Sequence, residues 1–138
     1  WEEGLNIEAK GKNDAYFSHT GIYTDNSKEA DGYKSTGFSL AKANGFVNRV
    51  GYSEDFDWGF LATKTTGSSN YPIHDYFYQY CNYSGWYVSF RNCTWGSGSS
   101  VGLCSRDAAN ASSYCSRRVG GCLLFVTEPK GTPVTGMM

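Results

Sequence analysis

Two short apolar runs, GWYVSF at 85–90 and GGCLLFV at 120–126, read as β-strands, and about thirty residues with no helical or alternating period separate them. A compact domain rarely encloses so long an irregular connection unless that connection is functional or disordered. Whatever the fold, it has to close its last two strands around an excursion.

The excursion and its flanks are written in a restricted vocabulary. From Tyr80 to Thr127, 48 residues contain no Lys, Glu, Gln or Met, whereas the other 90 residues hold sixteen of these, a density that would put about eight or nine in the window. Charge itself is not excluded, because Arg91, Arg106, Asp107, Arg117 and Arg118 are present. A generic polar loop would admit Lys and Glu first, as ordinary surface residues. Random replacement of adenines in AAC or AAT codons yields any codon ending in a pyrimidine. That set encodes Asn, Ser, Tyr, Cys, Arg, Asp, Gly and other small or apolar residues, but not Lys, Glu, Gln, Met or Trp. On this reading Trp86 and Trp95 are fixed framework and the residues between them are drawn from the permitted set; the alternative is a Ser/Gly/Asn-rich loop of ordinary origin.

The same residues suit a contact surface. Tyr80, Tyr83, Tyr87 and Tyr114 supply rigid amphipathic area, Ser97, Ser99, Ser100, Ser105 and Ser116 adaptable hydrogen bonds, and the arginines planar, stackable anchors.

At 138 residues the chain is read as one domain, 1–138, and 40% apolar content with 17 glycines fits a loop-rich, partly β fold. A net charge of −1 implies neither a nucleic-acid nor an anionic-membrane partner, and no apolar run approaches the roughly 20 residues of a spanning helix. No signal peptide is recognised, and a start at Trp1 rather than Met suggests a domain cut from a longer protein. All five cysteines lie between Cys81 and Cys122, an odd number without a C-x-x-C, and His19 and His74 lie upstream. No metal site is expected, and disulfide pairing stays open.

Local signals place a short helix around Ser39 to Asn44, stopped by Gly45, and a strand from Phe46 to Val50. A clearer helix starts in SEDFDWGFLATKT, with Ser53 as N-cap, Glu54 and Asp55 in the first turn and Phe56, Phe60 and Leu61 at helical spacing. Residues 1–35 are polar and turn-rich, with a strand candidate in AYFSHTGIY. The aromatics Trp58, Phe60, Tyr76, Phe77, Trp86 and Phe90 read as core in preference to a sugar-stacking platform. Neither histidine sits in a nucleophile motif, no G-x-S-x-G or phosphate cradle occurs, and Asp55 and Asp57 lie two apart on different helix faces. The chain is read as a non-enzyme without a cofactor.

SFRNCTW followed by GLCSRDAANASSYCSRRVGGCLLF resembles the C-terminal part of C-type lectin-like domains of the formylglycine-generating-enzyme type, through Arg91, Trp95, Gly120 and Leu123. SEDFDWGFLAT is similar to the second helix of that fold at Ser53, Trp58 and Ala62. Within it, DYFYQY and SSYCSRRVGG resemble the variable proteins of diversity-generating retroelements, many of them phage receptor-binding or tail-fibre tips. The likeness covers about 33–126, with 80–125 as candidate variable region. It departs at Asn92-Cys93, where the family has a double glycine, and at Cys122, where it has Arg; the calcium-lectin motifs are absent.

The resemblance implies an α+β, C-type lectin-like domain with short helices, a small antiparallel sheet and a long irregular C-terminal excursion. It also implies a diversified surface that recognises a bacterial surface protein or glycan, carried as a homotrimer in a longer fibre at a phage tail tip or on a bacterial surface. The residues expected to touch ligand are Tyr87, Thr94, Ser97, Ser100, Leu103, Ser105, Arg106, Asn110, Tyr114, Ser116 and Arg118. Trp58, Trp86, Trp95, Gly98, Gly102, Gly120 and Leu123 are expected to be framework. The rival readings are an oxidase-like enzyme on the same scaffold, using paired thiols, and an adhesin or lectin module without diversification.

Overall fold

The computed structural model describes residues 4–56, 59–70, 75–91 and 105–116. Nine strands run through them: β1 (Leu5–Ala9), β2 (Asn13–Phe17), β3 (Lys34–Leu40), β4 (Gly45–Phe46), β5 (Arg49–Val50), β6 (Ala62–Lys64), β7 (Tyr76–Gln79), β8 (Gly85–Arg91) and β9 (Arg106–Asn110). The only helical turns among the described residues are two single 3₁₀ turns, Glu29–Asp31 and Glu54–Phe56. This corrects the expected α+β, C-type lectin-like class: the domain is mostly β, built on a curled seven-stranded sheet.

That sheet has the order β3-β2-β1-β8-β9-β7-β4, and β5 and β6 form a separate ribbon. LNIEA alternates apolar and polar residues, and pairing it antiparallel with NDAYF puts Leu5 opposite Phe17 and Ile7 opposite Ala15 on one face. Asn6 opposite Tyr16 and Glu8 opposite Asp14 take the other. β8 continues the register, with Ile7 beside Tyr87 and Glu8 beside Trp86. The inner face closes over one cluster of buried side chains, among them Leu5, Ile7, Phe17, Leu40, Phe56, Leu61, Phe77 and Ala108. Phe17 and Phe56 pack with ring centroids 4.7 Å apart. The β6 ribbon is tied to the main sheet where the Ala41 amide donates to the Ala62 carbonyl over 2.9 Å.

Both expected helices are replaced for identifiable reasons. Ser39 and Leu40 end β3, where Ser39 pairs with Asp14 and Leu40 with Asn13, and residues 41–44 follow as an irregular turn. A left-handed Gly37, φ 80°, sits within the stretch where the β2–β3 register shifts. After Ser53 the chain makes a single turn; Phe56 is then buried while Phe60 is 56% exposed, so the two never share a helical face. A Cβ at Gly59 would run into the Phe56 ring, and the chain leaves that contact to pair Ala62–Lys64 with β5. The strand expected at Phe46–Val50 is split: Gly45–Phe46 pair with β7, Arg49–Val50 with β6, and buried Val47 lies between.

A buried polar knot holds the far end of the sheet. Asn13, buried at the start of β2, donates from Nδ2 to the Ala41 carbonyl (3.0 Å) and to Gln79 Oε1 (3.1 Å). Gln79 in turn donates to the Lys42 carbonyl and accepts from the Cys81 amide. On the outer face the like charges of Glu8 and Asp14 are directly opposed, and the turn lysines separate them: Lys10 lies 2.8 Å from Glu8 and 3.4 Å from Asp14, and Lys12 3.1 Å from Asp14.

Candidate functional site

The expected irregular excursion contains an interior strand of the sheet. β9 lies between β8, antiparallel to it, and β7, parallel to it. Because β7 and β8 are therefore separated by a strand, residues 80–84 cross the end of β9 to join them. Ser105 and Arg106 are consequently buried, 5% and 3% exposed. The Ser105 hydroxyl accepts from the Tyr76 amide at 3.1 Å, and the Arg106 guanidinium donates to the Phe60 carbonyl. Neither side chain is displayed to solvent. Both were expected to touch ligand; interior pairing turns them inward.

The other expected contact residues fall in three groups. Tyr87 is half-buried against the core, on the inner face. Asn110 is also half-buried and donates from Nδ2 to Asp107 Oδ1 at 3.2 Å. Tyr114 is exposed and Ser116 half-buried, after a turn closed by the Tyr114 amide and the Ala111 carbonyl. Thr94, Ser97, Ser100, Leu103 and Arg118 lie outside the described residues, as do the framework residues Trp58, Trp95, Gly98, Gly102, Gly120 and Leu123, and the strand expected at 120–126.

What the register assembles is an aromatic row on the outer face. In β9, Asp107 stands opposite Phe90 of β8 and in register with Tyr78 of β7. Directly opposed residues share a face, so these three belong to one surface. Tyr114 packs on Phe90 at 6.1 Å, and Tyr76 on Tyr78 at 4.5 Å with Phe46 beyond it at 5.0 Å. Tyr16 and Trp86 continue the aromatic surface on β2 and β8, 6.2 Å apart. At the crossover a second aromatic group forms, in which Tyr80 meets Tyr83 at 5.5 Å and the inner-face Tyr87 at 6.2 Å. Tyr78, Tyr80, Tyr83 and Tyr114 are all exposed, Tyr83 most at 66%. Over β1 the same face is covered: the Asn6 amide donates to the Thr24 carbonyl, and the Tyr33 hydroxyl pins Thr24 in turn.

Two carboxylates on this face are tuned in opposite senses. Burial raises the Asp107 carboxyl above its ordinary 3.8, and the hydrogen bonds from the Ala109 amide and Asn110 only partly offset this. Burial would raise Asp14 too, but the Ser39 hydroxyl and the Lys12 and Lys10 ammonium groups outweigh it and leave it below 3.8. Folded Asp107 holds its proton more tightly than the unfolded chain does, so it adds stability as pH falls from above its folded value toward 3.8. Asp14 has the opposite sign: its contribution is present above 3.8 and is lost as pH falls below that value. In urea unfolding from roughly pH 3 to 7, Asp107→Asn is expected to remove the component above 3.8 and Asp14→Asn the one below. Unchanged profiles would refute the assignment.

Among the described residues no group of three or more His, Cys, Asp or Glu side chains is placed to hold a metal ion. Cys81 is buried and Cys115 exposed, both as free thiols; Cys93, Cys104 and Cys122 lie outside the described residues. Comparison of the chain with protein-family models, with curated proteins and with solved structures finds no match.

Proposed function

We propose that this chain is a binding domain. It recognises a receptor on a bacterial cell surface through the exposed tyrosines around β7–β9–β8, and adenine-directed diversification acts on the segment 80–125. The observation that carries the reading is the exposure of four tyrosines around these strands: Tyr80, Tyr83 and Tyr114 from the restricted-vocabulary segment and Tyr78 from just before it. Tyrosine combines large contact area with little rotamer entropy to lose, which is why paratopes concentrate it. Positions 105, 106 and 108 are assigned to the frame, because their side chains are buried.

Binding of the labelled domain to intact bacterial cells tests the reading. The triple substitution Tyr80→Ser, Tyr83→Ser, Tyr114→Ser, each within the permitted vocabulary, is expected to weaken binding about tenfold or more, since aromatic anchors dominate interface energy. The melting midpoint should stay near that of the parent domain. Full retention of binding by the triple variant overturns the surface assignment. For diversification the decisive observation is a near-copy of the DNA encoding this segment, differing only at adenines and adjacent to a reverse transcriptase. A genome locus without such a copy removes that part of the proposal.

A further inference from the structure

The acid at the centre of the aromatic row narrows the chemistry of the partner. Asp107 is flanked by two ring pairs, Phe90–Tyr114 on the β8 side and Tyr78–Tyr76 on the β7 side. Both internal hydrogen bonds go to one oxygen: the Ala109 amide donates to Oδ1 at 2.9 Å and Asn110 Nδ2 to the same atom at 3.2 Å. Among the described residues nothing donates to Oδ2, and no Lys or Arg forms an ion pair with this carboxylate. Arg91 and Arg106 are near in sequence, but they are in register with each other one residue past the Phe90–Asp107 pair, and alternation turns them to the opposite face. An acceptor oxygen held in place and half-desolvated among aromatic side chains favours a cation over a neutral group, because the carboxylate attracts the charge and any ring face turned to it adds to that attraction. The backbones of β8 and β7 are two strand spacings apart, about 9–10 Å, which leaves room between their side chains for one ammonium or guanidinium group.

We propose that Asp107 and the rings of Phe90 and Tyr78 form a receptacle for a lysine or arginine side chain presented by a protein partner. The proposal rests on the binding-domain reading and specifies it: the partner is a protein with an exposed cationic residue, not an uncharged glycan. The positive group would bond to Oδ2 while its alkyl stem or guanidinium plane lies against the rings.

The test uses the full chain, ¹⁵N-labelled, titrated with N-acetyl-argininamide, N-acetyl-lysinamide and, as the uncharged control, N-acetyl-glutaminamide. Amide shifts at Ala109, Asn110 and Tyr78 should move saturably with the two cationic probes, in the millimolar range expected for a single side chain, and at least about tenfold more weakly with the glutamine probe. Asp107→Asn keeps an Oδ1 acceptor for both internal bonds and should lose the preference for cations while its spectrum stays that of the folded domain. Equal response to the neutral probe overturns the proposal in favour of an uncharged ligand such as a glycan. Absence of any saturable shift up to about 50 mM, or an unchanged preference in Asp107→Asn, overturns it outright. None of these results touches the cell-binding outcome of the tyrosine triple variant, so the two readings fail separately.

Discussion

Replacing Arg106 with serine is expected to cost about 2–4 kcal/mol of folding stability, a large fraction of what a domain of this size possesses. The codon argument treats serine as an ordinary outcome at this position; the structure does not. Arg106 is almost wholly buried in an interior strand, beside Phe77 in the parallel register, and its guanidinium satisfies the carbonyl of Phe60. Serine would leave that carbonyl without its guanidinium partner and open a void beside the ring. Tyr83→Ser serves as the reference, because Tyr83 is exposed in the crossover and its removal should change stability by no more than about 0.5 kcal/mol. Urea midpoints of the two variants decide the matter. If Arg106→Ser proves as mild as Tyr83→Ser, position 106 belongs to the variable surface and its assignment to the frame is wrong.

That contrast shows where the sequence could be read and where it could not. GWYVSF carries strong β propensity and forms β8 where expected. RDAAN carries almost none, with Asp, Asn and two alanines in five residues, yet it forms β9, because β7 and β8 present unpaired edges on either side and tertiary pairing overrides local preference. LNIEA does alternate, so β1 was legible in principle; the polar, turn-rich surroundings of residues 1–35 hide it. The segment after Ser53 fails for the opposite reason. Its start signals are sound, but an isolated helix is marginal below about 12 residues, and Gly59 and the threonines at 63, 65 and 66 supply nothing to extend it. The candidate site divides in the same way. Tyr80, Tyr83 and Tyr114 stand out by vocabulary, whereas Asp107 and its neighbours Phe90 and Tyr78 become a unit only through cross-strand register, which composition does not encode.

Adjacent residues of β7 give the sharpest test of the proposal that the sheet has one dry and one ligand-facing side. Phe77 is fully buried in the core cluster, and Tyr78, next along the strand, points to the outer face and is 41% exposed. Phe77→Ala is expected to destabilise the domain by about 3–5 kcal/mol, the cost of emptying a large aromatic site that its neighbours only partly refill. In a chain of this length each kcal/mol lowers the melting midpoint by a few degrees, so a fall of roughly 10–20 °C should be seen. Tyr78→Ala should cost no more than about 1 kcal/mol, mainly its ring contact with Tyr76 at 4.5 Å, since a large part of its surface meets solvent already. Its effect should appear instead in the response to cationic probes, weakened several-fold by loss of one wall around Asp107. The period of two along a strand demands this reversal, with stability lost at one position and recognition at the next. Thermal melts of the two variants measure the first half and the probe titrations the second. Comparable destabilisation by both substitutions would mean that the outer face of β7 is as dry as the inner, and the tyrosine surface would then be a second core.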